Sequence, residues 1–281
     1  MPMTGRKKSP APYLATGFGN VDGTGDTSAC TRCLDLLSDI PFFKNIKQES
    51  FRIVAVAKPE LVLDAGCGAG NDLAALAGLL PKKNRVMGID ASAALLSTAA
   101  ERTAPCRDRC DLVRGDLLRL PFATGTFGAC RIDRVLQHIH NPAHVIEELV
   151  RVLAPGGTLV AFDNDWDTLA IGIGDEERSD RIARFWSDSF ASGRVGKDLD
   201  RIFRNTGLVR VFAEPRTLVL PDLVLAKKVY DLPALLARMQ DAGTFSERDL
   251  AAIREELEGR ARAGTFTSGY TGWLVTGEKP E

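Results

Sequence analysis

The 281-residue chain carries 36 lysines and arginines against 37 aspartates and glutamates, which gives a formal net charge of −1 at pH 7. This balance supplies no overall positive field for phosphate backbones, so nucleic acid is not an expected partner. No segment approaches the ~20 apolar residues of a membrane helix, and we expect a cytoplasmic protein without a membrane partner.

The N-terminal segment, residues 1–20, differs in composition from the rest of the chain. It begins MPMTGRKKSPAP and is rich in glycine, proline, serine and lysine. Such a segment cannot bury enough apolar surface to offset the entropy lost on ordering. We therefore predict a flexible arm that a bound ligand could order, followed by a single domain over residues 21–281.

Short apolar strands alternate with helical patterns along the middle of the chain. A helical stretch comes first and carries Cys30 and Cys33 on one apolar face. Strands are predicted at residues 61–65, 85–90, 111–116, 127–133 and 157–164, separated by helices at 71–80, 92–103 and 141–155. This alternation favours an α/β fold with a parallel sheet covered on both faces.

Two further helical regions follow these strands. Residues 175–192 form a charged helix whose aromatic side chains could stack on a planar substrate or belong to the core. Residues 222–262 add two more helices, the second beginning at Ser246 with Asp249 in the S-x-x-D spacing of a capping box. We predict that the segment 221–263 is a helical insertion over the substrate site.

Acidic residues end the first three predicted strands. Asp64, Asp90 and Asp116 are equally spaced, as three successive strand–helix units would place them. Sheets of this kind bind ligands at the carboxyl ends of their strands. The three carboxylates are therefore predicted to lie along one ligand-binding edge.

The turn after the first strand reads LVLDAGCGAGNDL. A dinucleotide-binding turn requires G-x-G-x-x-G, and Asn71 occupies the position of its third glycine. A phosphate-binding loop is also excluded, because no Gly-Lys-Ser/Thr follows. The acid at the start of the turn favours a ligand that carries positive charge.

These residues resemble the motifs of class I S-adenosylmethionine-dependent methyltransferases. LVLDAGCGAG resembles the first motif, VMGIDAS the second, RGDLLRLPF the third, FGACRIDRVLQHI the fourth and LVRVLAPGGTLVAFDNDW the fifth. The resemblance is strongest to the small-molecule branch that includes the ubiquinone and menaquinone C-methyltransferases. It departs at Gly128, where relatives often carry aspartate. It implies a Rossmann-like, doubly wound seven-stranded sheet with a helical cap.

The resemblance implies S-adenosylmethionine as cofactor and S-adenosylhomocysteine as product. Gly66, Gly68 and Gly70 would let the backbone approach the methionyl part of the cofactor. Asp64 would orient this turn or meet the ammonium group through water. Asp90 would accept hydrogen bonds from both ribose hydroxyls.

The adenine is assigned to the ends of the second and third strands. Asp116 would accept from the adenine amino group, and the Leu117 amide would donate to the ring. Ala91 and Ser92 would flank the adenine.

The amino acid end of the cofactor is assigned to the fourth motif. The carbonyl of Ile132 would accept from the ammonium, and Arg134 could reach the carboxylate. Lys47 competes for the same role, and a plain salt bridge is an equally good interpretation of both cations.

Metal binding is weighed against simpler roles for histidine and cysteine. The pattern H-x-H-x-x-x-H joins His138, His140 and His144, but a helix start at Asn141 separates the last two. The six cysteines are interpreted as small buried thiols. We therefore predict no metal site.

The candidate catalytic residues are His138, Asn164 and Trp166. His138 follows the fourth strand and could act as a general base, or it could cap or pack the turn before Asn141. Trp166 follows the predicted fifth strand and is expected at the mouth of the site.

Three functions agree with these residues. We favour methyl transfer to a small planar or aromatic metabolite in bacterial natural-product biosynthesis, with ring carbon preferred over nitrogen or oxygen. The alternatives are an enzyme that uses the same cofactor for other chemistry, such as cyclisation, and a non-catalytic binding protein. The oligomeric state is left open, with a homodimer as one option.

Overall fold

The computed structural model describes residues 17–24 and 26–281, so residues 1–16 of the predicted arm lie outside the described residues. Within the described part, the strands are Leu61–Ala65 (β1), Arg85–Asp90 (β2), Cys110–Arg114 (β3), Phe127–Asp133 (β4), Leu153–Ile171 (β5), Val209–Leu220 (β6) and Ser268–Glu278 (β7).

These strands form one sheet in the order β3-β2-β1-β4-β5-β7-β6. The strands β1 to β5 pair in parallel, whereas β7 is antiparallel to both β5 and β6. The predicted Rossmann-like seven-stranded sheet is therefore confirmed. The strand β5 extends well beyond the predicted 157–164, because β7 pairs with it as far as Ile171.

The α-helices are Val21–Thr24 (α1), Thr27–Asp39 (α2), Pro41–Val56 (α3), Leu73–Leu79 (α4), Ala93–Thr103 (α5), Pro142–Val152 (α6), Glu176–Asp188 (α7), Val195–Asn205 (α8), Leu223–Val229 (α9), Leu232–Asp241 (α10) and Glu247–Arg262 (α11). They cover both faces of the sheet. Successive side chains of β1 enter opposite cores, Val62 with α3, α4 and α7, and Leu63 with α6 and α8.

The segment 221–263 contains three helices, not the two that were predicted. The first helix ends because Asp231 adopts a left-handed conformation with φ 45°, and Pro233 then lies in the first turn of α10. The capping box is confirmed, since Ser246 and Asp249 bond each other's backbone N–H. Together with α7, these helices pack over the extension of β5.

The described N-terminal residues fold against the body of the domain. A 3₁₀ turn at Phe18–Asn20 leads into α1. Asp22 accepts hydrogen bonds from the Ser92 hydroxyl at 2.6 Å and from the Ala93 amide at 3.0 Å. This carboxylate therefore sits on the N-terminus of α5, where a negative charge is stabilised.

Candidate functional site

A cavity of about 300 Å³ opens at the carboxyl ends of β1, β2 and β4. It brings together five predicted cofactor positions on β1, β2 and the loop after β3. A sixth, Arg134, joins them from the end of β4. These residues are Gly66, Gly68, Asp90, Ala91, Asp116, Leu117 and, from the fourth motif, Arg134. Phe18 and Gly19 of the N-terminal turn complete the wall.

The glycine turn is shaped by three left-handed glycines. A Cβ on Gly66 would lie 2.4 Å from Val135 Cγ2, so glycine is required beside the end of β4. Gly68 lines the cavity directly. Gly70 does not line it: a Cβ there would lie 2.8 Å from the Cβ of Ala99 on α5. Gly70 therefore permits close helix packing, a role that was not predicted.

Asp90 is fixed by the backbone on both sides. Its Oδ2 accepts from the Gly68 amide at 2.8 Å, and its Oδ1 accepts from the Ser92 amide at 2.9 Å. Burial raises the pKa of Asp90, and these two N–H groups oppose the shift. Each oxygen keeps a further acceptor position, as the predicted contacts with two hydroxyls require.

The adenine end combines one acid with apolar walls. Asp116 accepts from the Leu118 amide at 2.9 Å, and Leu117 is buried against the cavity. Ser92 is buried and does not line the cavity, because its hydroxyl caps α5 by accepting from Leu95 and donates to Asp22.

A buried ionic cluster lies under the glycine turn, centred on Arg131 of β4. Its guanidinium bonds Asp64 at 2.8 Å, Asp72 at 3.0 Å and Asp133 at 2.7 Å, and its Nε donates to Ser50 at 2.8 Å. Burial raises the pKa of Asp64 above its usual range despite Arg131. The Asp64 carboxylate therefore orients the turn through Arg131, whereas sequence reasoning missed Arg131 altogether. A charged residue inside an apolar central strand was the available signal, since a buried charge must be paired.

A smaller cavity of mixed charge connects this cluster to the main one. Lys47 lines it and donates to Asp72 at 2.7 Å and to Ser38 at 3.1 Å. Arg134 also lines it, and its Nε donates to Asp133 at 3.1 Å. Ile132 is buried in the core and its side chain lines neither cavity.

The third cavity, called here the aromatic cavity, lies against the extension of β5. Trp166 stacks on Phe190 with ring centroids 5.4 Å apart, and the ring of Tyr270 lies 4.2 Å from Trp166. His138 packs between Phe18 and Phe190, each at 5.5 Å between centroids. The cavity is lined by Phe18, Cys33, Leu37, Phe43, Arg134, Gln137, His138, Asn164, Trp166, Trp186, Phe190, Val229 and Tyr270. Trp166 is buried inside the site and not at its mouth.

Gln137 ties the three candidate catalytic residues together. Its Oε1 accepts from Trp166 Nε1 at 2.8 Å and from Asn164 Nδ2 at 3.1 Å. Because an indole N–H can only donate, the Gln137 amide has one orientation, with Nε2 towards His138 Nε2 at 3.3 Å. Gln137 therefore presents an N–H to His138. Sequence reasoning missed this residue because its partners lie far along the chain.

Two buried aspartates beside the site differ in their surroundings. Burial raises the pKa of Asp133, but Arg134 and Arg131 outweigh burial and hold it well below its usual range. Asp163 has only backbone N–H groups, from Asn164 at 2.9 Å and Gln137 at 3.3 Å, and burial raises its pKa to about 7.

Among the residues that the structure describes, no group of three or more His, Cys, Asp or Glu side chains could hold a metal ion. His144 instead pairs with Glu147 at 3.0 Å on the surface of α6. The six cysteines are free thiols. No described helix has the length and apolar character needed to cross a membrane.

The lining of the first two cavities fits S-adenosylmethionine. Asp90 keeps acceptor positions for a pair of hydroxyls, and Leu117 offers an apolar wall beside Asp116 for a flat base. The small cavity offers both signs of charge, as a zwitterionic amino acid end requires. A side chain at Gly66 or Gly68 would crowd the approach to this end.

Comparison with known proteins identifies relatives of this chain. The sequence family described as a methyltransferase domain matches residues 62–157. An uncharacterised 37.1 kDa protein in transposon TN4556 of Streptomyces fradiae is 34% identical over 246 residues, which cover 87% of this chain and 70% of that protein. Demethylmenaquinone methyltransferase of Bacillus cereus (strain B4264) is 28% identical over 207 residues, which cover 65% of this chain and 85% of that enzyme.

Solved structures share the fold. The YcgJ protein of Bacillus subtilis superposes with a TM-score of 0.59 at 17% identity, covering 85% of this chain and 99% of that one. A candidate methyltransferase of Bacillus halodurans C-125 gives a TM-score of 0.58 at 18% identity, with coverages of 84% and 99%.

Proposed function

Because the chain belongs to the class I S-adenosylmethionine-dependent methyltransferases, we propose that it methylates a small planar or aromatic metabolite held in the aromatic cavity. The cofactor is S-adenosylmethionine, which supplies a methyl group activated by positive sulfur. The observation that carries the proposal is the continuity of the two larger cavities. They share as walls Phe18, Leu37, Arg134, Gln137 and His138.

The proposed cofactor site uses the strand ends. Asp90 accepts from the ribose hydroxyls, and Asp116 with Leu117 binds the adenine beside Ala91. The backbone of the glycine turn and the Ile132 carbonyl receive the amino acid end, with Lys47 or Arg134 as the cation for its carboxylate. Ser92 contributes through its amide, which holds Asp90.

The aromatic cavity supplies what methyl transfer demands, which is alignment and exclusion of water. Trp166, Phe190 and Tyr270 form flat apolar walls that a planar ring can stack on. The relative that methylates demethylmenaquinone supports a ring-carbon acceptor. We place the reaction in small-molecule biosynthesis on the same ground.

His138 is the proposed base where the acceptor must lose a proton. Gln137 donates to its Nε2, which fixes the neutral tautomer with the lone pair on that nitrogen. Proton uptake at Nε2 displaces the Gln137 N–H, so His138 and Gln137 act together. Asn164 belongs to the same unit through Gln137 Oε1.

The proposal is tested by incubating the protein with methyl-labelled cofactor and a host metabolite extract. We expect one labelled small molecule, together with S-adenosylhomocysteine in equal amount. Release of methylthioadenosine would instead indicate non-methylating chemistry. Tight cofactor binding without turnover would indicate a binding protein.

A pair of tryptophan variants locates the acceptor. Trp166→Phe removes the N–H that orients Gln137, so we expect slower labelling with unchanged cofactor affinity. Trp273→Phe makes the same chemical change on the opposite face of the sheet and should leave labelling intact. Equal effects of the two variants would contradict the placement of the acceptor.

A further inference from the structure

The aromatic cavity contains one permanent charge. Of the described residues that line it, Arg134 alone is an Arg, Lys, Asp or Glu. Its partner Asp133 lines the other two cavities and not this one. The charge that an acceptor meets in this cavity is therefore positive.

The guanidinium of Arg134 lies on the acceptor side. Its Cζ is 4.5 Å from the ring centroid of Phe43, a wall of the aromatic cavity alone. Only its Nε is bonded, to Asp133, and within the described part of the chain neither terminal nitrogen makes a hydrogen bond. The side chain is about nine-tenths buried, with 10% exposed. Two buried donors thus lack an acceptor.

The backbone of Arg134 is held in a conformation that arginine rarely adopts. Its φ is 55°, in the left-handed region, and its N–H donates to the Phe162 carbonyl at 2.7 Å. Strain of this kind at a non-glycine residue clusters at functional sites. Glycine would adopt this conformation without strain, so an arginine here points to a use for the side chain.

The cofactor carboxylate has another cation. Lys47 lines the small mixed-charge cavity but not the aromatic cavity. Burial lowers the pKa of Arg134, but Asp133 and Tyr270 raise it above its ordinary value, so the guanidinium stays charged. Tyr270 is itself a wall of the aromatic cavity.

We propose that Arg134 binds an anionic oxygen of the methyl acceptor, so that the substrate is a planar ring bearing a carboxylate or phenolate. This inference rests on the proposed function. Stacking on the aromatic walls selects a flat ring, and the two terminal nitrogens of Arg134 select the acidic group by charge-assisted hydrogen bonds. An electron-donating oxygen on the ring also favours methylation at carbon.

The test measures binding of three rings that differ only in charge to the protein saturated with S-adenosylhomocysteine. The probes are 2-naphthoate, 2-naphthamide and 2-naphthylmethylamine, titrated by calorimetry. We expect 2-naphthoate to bind about tenfold more tightly than the neutral amide, with the amine weakest. In Arg134→Gln the preference for 2-naphthoate should vanish, and in Arg134→Lys part of it should remain. Lys47→Met is the matched control and should weaken the cofactor product while keeping the preference.

The outcomes separate the two proposals. Equal affinities for the three rings, or no binding of 2-naphthoate at millimolar concentration, would overturn the role of Arg134 while leaving methyl transfer standing. Loss of S-adenosylhomocysteine binding in Arg134→Gln, with a melting temperature like that of the parent, would also overturn it, because Arg134 would then serve the cofactor. Failure of the parent protein to bind S-adenosylhomocysteine at all would count against the proposed function itself.

Discussion

The cofactor cavity and the aromatic cavity adjoin, yet their polar groups are held in different ways. In the cofactor cavity, Asp90 and Asp116 are fixed by amides one turn away, such as Ser92 and Leu118. In the aromatic cavity, Gln137 is fixed by side chains 27 and 29 residues along the chain, Asn164 and Trp166. The first site is therefore written in local motifs, whereas the second depends on how distant elements pack.

The largest expected effect tests the cofactor side of this comparison. Asp90→Ala removes the acceptor of both ribose hydroxyls, and each hydrogen bond to a charged group contributes about 1.5–3 kcal/mol. We expect a large loss of S-adenosylhomocysteine affinity in calorimetry. Asp116→Ala should weaken binding less, because water can replace its single contact. Unchanged affinity in Asp90→Ala, with the fold intact, would sink the assignment.

The second effect concerns the ionic cluster beneath that cavity. Arg131→Met leaves three buried acids without their shared cation, and breaking such a pair costs about 3–5 kcal/mol. Urea denaturation should report this loss. The control Arg85→Met breaks an exposed pair with Asp111 and should cost no more than about 1 kcal/mol. Similar losses in the two variants would mean that the cluster is not structural.

The same contrast explains which features the sequence predicts. The bounds of β1, β2 and β4 agree with the predicted strands, because each is a short apolar run that ends at a polar turn. The strand β5 was predicted too short because Asp165 and Asp167 read as the start of a loop. Pairing with β7, about a hundred residues later, keeps this polar stretch extended.

The site residues divide along the same line. Gly66, Gly68, Asp90 and Asp116 line the cofactor cavity as the motifs indicate. Arg131 could not be assigned from its neighbours, since Asp64 and Ser50 are 67 and 81 residues away. The extra break within 221–263 was missed because no glycine marks it, and Asp231 takes the left-handed conformation instead.

The third prediction tests catalysis in the aromatic cavity. His138→Ala removes the proposed base, and we expect kcat to fall by about 10²-fold with cofactor affinity unchanged. The control His144→Ala removes an exposed imidazole and should leave kcat intact. A fall of less than tenfold, or a parallel loss of stability, would assign His138 to packing between Phe18 and Phe190. Asp133, Asn164 and Asp165 would then be the next candidates.

The smallest effect concerns Asp163, the acid that lacks a cation and lies between the two cavities. Burial raises its pKa to about 7 in the folded protein, against about 3.9 in the unfolded chain. Between these values the folded state keeps a proton that the unfolded state has lost, so stability falls as pH rises from about 4 to 7 and then levels. Asp163→Asn cannot ionise and should lack this decline. We expect its stability relative to the parent to rise by about 1–2 kcal/mol across that window, measured by urea denaturation at several pH values. The exposed control Asp108→Asn should track the parent at every pH. Parallel curves for Asp163→Asn and the parent would mean that Asp163 is ionised in the fold, held by its backbone N–H groups as Asp133 is held by its arginines.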